Sequence, residues 1–402
     1  MPGSDFDRFR DGFPALRAKT YLSICDKMIL HDSVRAAVDR FLDHLAMASA
    51  NRVQHEVLVG SARIRFATLM NVAPATVAAV RNVSDGTNSI ACAMPWKAGD
   101  NLVLTAEAEH PNNVYPWLRR REQGVEVRAL PALPDGAIDV DGLIAAIDGR
   151  TRLVAVASAT FAPGHRTDLR KLADVCRKKD VFLLVDGVQT AGILHHDLSS
   201  EAVDGFATST SKGLLGLYGF GFLYVSPKWI ERLEPAYLSR SSVQQKVDDH
   251  SAMGNFDYEF QPDSRRFEVG SYNLAGAYAA DASIALLLEL GTPAIEARVL
   301  TLSRRLNEGL RHLGLDVAVP FDGPRQSHIV TVGMLDAGGH GFTSDALMQP
   351  IYDHLTANGV MLTIRRGQLR FGLHGYNTEH DVDTALAVTG EALKSARRTT
   401  PA

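Results

Sequence analysis

Lys212 lies in the run Ser209-Thr210-Ser211-Lys212-Gly213, downstream of an apolar stretch that ends in Asp186 and is followed by Gln189. A lysine amine can form a Schiff base with an aldehyde cofactor, and a pyridine ring draws electrons only while a carboxylate keeps its nitrogen protonated. The stretch Val181-Phe182-Leu183-Leu184-Val185 has the length and continuous apolar character of a buried parallel strand. That places Asp186 at a strand's C-terminal end, where open α/β sheets hold ligands. With Lys212 as covalent anchor and Asp186 as pyridinium partner, the region reads as the floor of a pyridoxal phosphate site.

Such a cofactor needs a phosphate seat, built from backbone N–H groups and hydroxyls at a helix N-terminus. Val83-Ser84-Asp85-Gly86-Thr87-Asn88 can provide one, as the opening of a helix expected over Ile90 to Met94. Ser84 is the first side chain to name there, Asp85 shares its turn, and Gly86 would allow close approach. An amino acid substrate needs a carboxylate anchor. Arg370 suits that role because a planar guanidinium binds a carboxylate through two parallel hydrogen bonds, fixing which Cα bond stands perpendicular to the ring. Its neighbours Arg365 and Arg366 are expected to be solvated, with recognition of an acidic substrate side chain by one of them as the alternative.

The elements that must hold these residues alternate along the chain as a parallel sheet covered by helices would. Leu102-Val103-Leu104 precedes His110, Leu153-Val154-Ala155-Val156-Ala157 precedes Thr160, and Phe220 to Val225 follows the lysine. Each candidate thus sits where a strand ends. Asp168 before Leu169 is a plausible N-cap, and Lys178 and Lys179 close the same helix with charges suited to its negative end.

With these residues in view the chain resembles the class V aminotransferases of fold type I, which include cysteine desulfurases, carbon-sulfur lyases and isopenicillin N epimerase. Asp186-Gly187-Val188-Gln189 is similar to the family's Asp-x-x-Gln, and Ser209-x-Ser211-Lys212 stands in place of Ser-x-His-Lys. Arg266-Phe267-Glu268-Val269-Gly270-Ser271-x-Asn273 resembles the Arg-Phe-Glu-x-Gly-Thr segment. Arg370 with Tyr376-Asn377-Thr378 resembles the C-terminal signature, and Glu109-His110-Pro111-Asn112-Asn113 through Pro116-Trp117 resembles the segment whose histidine covers the cofactor ring. These motifs spread from about Tyr21 to Asp383.

The resemblance implies roles. Gln189 would lie near the cofactor's phenolic oxygen, Ser209 and Ser211 near its phosphate, and His110 would stack on the pyridine and exchange protons with substrate or leaving group. Asn113 and Thr160 join Arg370 as candidate substrate contacts. The family's homodimers carry the Ser271 equivalent to the partner's phosphate, which implies an active site completed by dimerisation. The implied architecture is α/β, a mainly parallel sheet sandwiched by helices with a smaller C-terminal α+β domain. Its expected parts are an N-terminal segment over 1–35 packing on the small domain, a cofactor domain over 36–285 and a small domain over 286–402. The implied activity is Schiff-base formation with a small amino acid followed by Cα deprotonation. Transamination is the leading outcome, with β-elimination or epimerisation as alternatives and a catalytically silent scaffold as a further one.

One departure narrows the choice. Sulfur-mobilising relatives carry a long cysteine-bearing loop before the carboxylate-binding arginine, and Arg366-Gly367-Gln368-Leu369-Arg370 leaves no room for it, which argues against a protein-bound persulfide. The cysteines, Cys25, Cys92 and Cys176, have no metal-ligand spacing and are read as structural. Cys176 shares a helix face with Leu169 and Leu172.

Composition agrees with an enzyme of this size. The 402 residues are 46% hydrophobic and 22% charged, enough for a large core, and the net charge of -4 gives no basis for nucleic acid binding. The Arg119-Arg120-Arg121 run is expected on a solvated helix face. The start Met1-Pro2-Gly3-Ser4-Asp5 has no charged-then-apolar signal pattern and no run approaches a membrane span, so a cytoplasmic location without membrane contact is expected. Substrate choice is expected to rest on Tyr21 to Asp26 and on the loop 239–256, whose Asp248, Asp249 and His250 read first as a solvated, mobile stretch and second as contacts to a polar substrate.

Overall fold

The computed structural model describes residues 4–49, 51–244, 258–320 and 322–399. The candidates Asp248, Asp249 and His250 lie outside the described residues.

In chain order the strands are β1 (Thr20–Tyr21), β2 (Val77–Val80), β3 (Asn101–Leu104), β4 (Glu126–Ala129), β5 (Thr151–Ala157) and β6 (Phe182–Asp186). They continue as β7 (Gly205–Ser209), β8 (Gly221–Val225), β9 (Ile329–Val332), β10 (Val360–Met361), β11 (Thr363–Arg365) and β12 (Gln368–Gly372). Seven of them form one sheet in the order β2-β8-β7-β6-β5-β3-β4. β8 runs antiparallel to both its neighbours and the other pairings are parallel.

Both faces of this sheet are covered, which is why its central strands are apolar without a break. Val154, Val156, Leu183, Val185, Phe206 and Phe222 face one core, which the helices Arg52–Leu69 and Leu274–Leu290 close. Leu153, Ala155, Phe182, Leu184, Ala207 and Leu223 face the opposite core. Each fully buried aliphatic or aromatic side chain contributes roughly 1.5–3 kcal/mol of transfer free energy. Phe66 stacks on Phe222 with centroids 4.3 Å apart and planes 8° from parallel, fixing the Arg52–Leu69 helix to the sheet.

A smaller sheet, β11-β12-β9, is wholly antiparallel. Its core combines Leu306, Val330, Val332, Ile351, Leu369 and Phe371 with Leu22 from the N-terminal segment. That segment is tied in by β1, which pairs in parallel with β10, and by a bridge between Ser23 and Gly372. The helix Thr292–His312 spans both cores, with Ile295 and Val299 in the first and Leu302, Leu306 and Leu310 in the second.

Local signals explain several boundaries. The Asp168 side chain caps the Leu169–Lys179 helix by accepting from the Lys171 amide, and Cys176 is buried beside Leu169 and Leu172. The Arg119 run forms a short 3-10 helix with mostly exposed side chains rather than an α-helix. The helix expected to open over Val83 to Asn88 runs from Val83 to Ala93, and the Asn82 side chain caps it by accepting from the Asp85 amide.

Candidate active site

The C-terminal ends of β3, β5, β6 and β7 converge on a cavity of about 210 Å³ lined by His110, Ala157, Asp186, Gln189, Ser209, Ser211 and Lys212, among others. Parallel strand order produces this convergence: Ala157 at the end of β5 pairs with Asp186 at the end of β6, and Asp186 pairs with Ala207 in β7. The last residues of adjacent strands and the turns that follow them therefore meet at one place.

Asp186 is buried, and its Oδ1 accepts from the Val188 amide at 2.9 Å. Burial pushes its carboxyl up to about 6; the Val188 bond and the nearby Lys212 charge act in the opposite direction. Lys212 sits in the turn between β7 and β8. Thr210 Oγ1 pins this turn by donating to the carbonyls of Leu217 at 2.6 Å and Phe220 at 2.9 Å. Its far side is held by His374, whose Nε2 donates to the Gly213 carbonyl at 2.9 Å. Burial first and the Arg370 charge second push the Lys212 amine down to about 8, with Asp186 opposing.

Gln189 is buried and donates through Nε2 to the Cys25 carbonyl at 3.3 Å, while its Oε1 has no partner. The segment after β1 is thereby drawn against the site, and the Met28 amide completes the attachment by donating to the Ser211 carbonyl at 3.0 Å. Cys25, read from the sequence as structural, is thus a buried residue whose carbonyl touches the site through Gln189. Its Sγ packs against Gly372, and it neighbours Arg370.

At the helix N-terminus the Ser209 hydroxyl accepts from the Val83 amide at 2.9 Å, and Val83 itself faces the cavity. Ser84 lies one residue into the same turn, its carbonyl accepting from Asn88. Two expectations for this turn are corrected. Asp85 turns away to Arg81, accepting from both its backbone amide and its guanidinium. Gly86 is buried against the sheet, where an added Cβ would lie 3.0 Å from the Ala207 Cβ, so its small size serves helix-on-sheet packing.

His110 caps a short 3-10 turn, Pro111–Asn113, with Nδ1 accepting from the Asn112 amide at 3.2 Å. A neutral ring in that arrangement carries its proton on Nε2. Partial burial, then the Lys212, His340 and arginine charges, hold its pKa below the usual histidine value. The other two substrate candidates are also corrected. Asn113 points inward and donates to Glu109 at 2.7 Å, leaving Asn112 on the cavity wall. Thr160 is buried and closes its own loop, accepting from the Gly164 and His165 amides at 3.0 Å each.

Arg370 is buried on β12, donating through Nη1 to the Phe161 carbonyl at 2.7 Å and through Nε to the Thr363 hydroxyl at 3.1 Å. Arg365 and Arg366 are not solvated as expected: Arg365 pairs with Asp26, and Arg366 pairs with Asp336 at 2.7 Å. The β11–β12 turn consists of Arg366 and Gly367, both in the left-handed region at φ 49° and 79°, and it holds no inserted loop. Tyr376-Asn377-Thr378 braces the N-terminal segment, since Asn377 Nδ2 donates to the Tyr21 carbonyl at 3.0 Å. Ser271 does not line the Lys212 cavity of its own chain; it lines a separate cavity of about 870 Å³ with Arg63 and Arg265.

The donor set fits pyridoxal 5'-phosphate: an amine for its aldehyde, a buried carboxylate for its ring nitrogen, hydroxyls at a helix N-terminus for its phosphate, and a buried Gln189 oxygen lacking any partner. Fold and site together define a pyridoxal phosphate-dependent enzyme. The Aminotransferase class-V family model matches residues 31–385, and the chain belongs to that family. Its architecture is fold type I, and its cofactor is pyridoxal 5'-phosphate.

Among similar proteins is an uncharacterized aminotransferase, YcbU, of Bacillus subtilis, 26% identical over 94% of this chain and 96% of its own. A probable cysteine desulfurase of Pyrococcus abyssi is 26% identical over 95% of this chain and 93% of its own. The solved complex of the cystine C-S lyase C-DES with cysteine persulfide has a TM-score of 0.82 and 23% identity, covering 94% of this chain and 99% of that one. At that identity the likeness is one of fold.

Proposed function

We propose that the protein acts on a small amino acid by removing its Cα proton, and that the outcome is transamination. The observation that carries this reading is Arg370, a buried cation held by the neutral Phe161 and Thr363 oxygens and near enough to Lys212 for its charge to lower the amine. Such a group suits a carboxylate guest. When bound, pyridoxal phosphate supplies the electron sink that makes the Cα proton removable.

The chain's residues do the rest. Arg370 binds and orients the substrate carboxylate. The Lys212 amine, lowered to about 8, takes the Cα proton as a base near its working pH. With the cofactor bound, Asp186 would hold the ring nitrogen's proton, Gln189 would meet the phenolic oxygen, and Ser84, Ser209 and Ser211 would hold the phosphate. His110, on the cavity wall, would cover the ring.

β-Elimination is the second reading, because it requires an acid for the leaving group and His110 offers an Nε2 proton at the cavity. The tight Arg366-Gly367 turn supports a mechanism without a loop-borne persulfide in either case. A homodimer is part of the same proposal. Ser271 lies on a basic rim cavity, and Leu42, Leu45, Val53, Val57 and Ile64 are exposed on two neighbouring helices, an apolar face suited to a second copy.

The test is product analysis with a panel of amino acids, with and without oxo acids. Amino-group exchange with an oxo acid supports transamination. Release of pyruvate and ammonia from β-substituted substrates establishes the second reading, and no turnover of any α-amino acid contradicts both.

A further inference from the structure

We propose that Glu109 is the positioning residue for His110, and that it works as a neutral carboxylic acid. The proposal rests on the reading of His110 as the residue covering the cofactor ring. Glu109 is buried at the start of the turn that carries His110. Its Oε1 accepts from the Ala157 amide at 2.6 Å, and its Oε2 meets the Asn113 side-chain nitrogen at 2.7 Å. Ala157 lies on the cavity floor in register with Asp186, while Asn113 ends the turn that His110 begins. One carboxyl therefore clamps both ends of the His110 turn to the strand ends beneath it. The ring's own contacts, the Asn112 amide and an edge-on approach to Phe161 at 5.7 Å, set its rotation but not the height of its turn.

The clamp's charge state follows from its surroundings. Burial pushes the Glu109 carboxyl up to about 8, and the negative Asp186 at the end of β6 pushes the same way against the two hydrogen bonds. Burial raises both carboxyls, and the Lys212 charge beside Asp186 favours its negative form, a support that Glu109 lacks. A proton on Glu109 Oε2 has an acceptor at hand. Asn113 Oδ1 is buried without a partner, and a half-turn of the amide exchanges it with the nitrogen.

The test compares Glu109→Gln with Glu109→Ala in the full-length chain. For a carboxyl whose folded pKa lies above its unfolded value, stability is lost as pH rises from about 4.5 to about 8. In cofactor-free protein the melting temperature of Glu109→Gln minus that of the wild type is therefore expected to grow between pH 6 and pH 8, the Asp186 titration being common to both proteins. A pH-independent difference overturns the neutral-acid claim whatever reaction the enzyme catalyses. In the holoenzyme, Glu109→Gln is expected to keep kcat within about 3-fold, whereas Glu109→Ala loses about 10-fold or more with little change in KM and shifts the pH–rate limb due to His110. Equal impairment of the two variants overturns the proposal, as does no impairment of either. If Glu109→Ala fails to fold, Asn113→Ala removes the far end of the clamp and is read the same way.

Discussion

The Arg370 guanidinium donates through Nη1 to the Phe161 carbonyl at 2.7 Å, joining the small sheet to the wall of the Lys212 cavity. A buried cation braced by neutral oxygens is positioned without being neutralised, which leaves its charge for an incoming anion.

Replacing Arg370 with Ala is expected to raise KM for α-amino acids by about 10- to 100-fold, the equivalent of losing charge-assisted hydrogen bonds. Comparing each amino acid with its amide isolates the effect: the wild type discriminates between them and the variant does not. Persistent discrimination in the variant would move the anchor to Arg365, which then has to leave Asp26.

Lys212→Ala is expected to retain cofactor weakly and to lose turnover by about 10²-fold or more, the scale of a general base. Cofactor absorbance after gel filtration and steady-state rates measure the two effects separately. Turnover at the wild-type level would remove Lys212 from the chemistry.

Depression of the Lys212 amine to about 8 sets a pH dependence. The neutral amine is the nucleophile, so cofactor capture by the cofactor-free protein is expected to accelerate as pH rises through about 8 rather than through the ordinary lysine range. Asp186 supports the charged amine, so Asp186→Asn is expected to move the midpoint lower. Stopped-flow absorbance checks both, and a midpoint near 10 would contradict the environment described.

How much of this was legible in the sequence depended on how local each cause is. Asp186, Gln189 and Lys212 could be read because a strand end and a short turn place them, and both are encoded within a few residues. Asn113, Thr160, Asp85 and Gly86 could not, because their orientation is decided by partners: Glu109, the Gly164 and His165 amides, Arg81, and the Ala207 side chain. Cys25 reaches the site through the β1–β10 pairing, a contact between chain segments far apart. Glu109 had a faint signal, a lone carboxylate directly before a candidate histidine, and its burial became visible only in three dimensions.

The small domain has its own pH signature. His328 is buried with neither ring nitrogen partnered, and burial pushes it down to about 3. Unfolded, it binds a proton near its ordinary value, so the fold loses stability as pH falls from about 6.5 toward 3. His328→Leu is expected to reduce the drop in melting temperature between pH 7 and pH 5, and an unchanged drop would assign the acid sensitivity elsewhere, beginning with His374.

The central claim, that the Lys212 cavity is the catalytic centre, is tested most directly by reducing the holoenzyme with borohydride, digesting it and mapping the modified lysine by mass spectrometry. The expected result is a pyridoxyl group on the peptide containing Ser211-Lys212-Gly213 and nowhere else at full occupancy. Stoichiometric modification of a different lysine, with Lys212 unmodified, would contradict it.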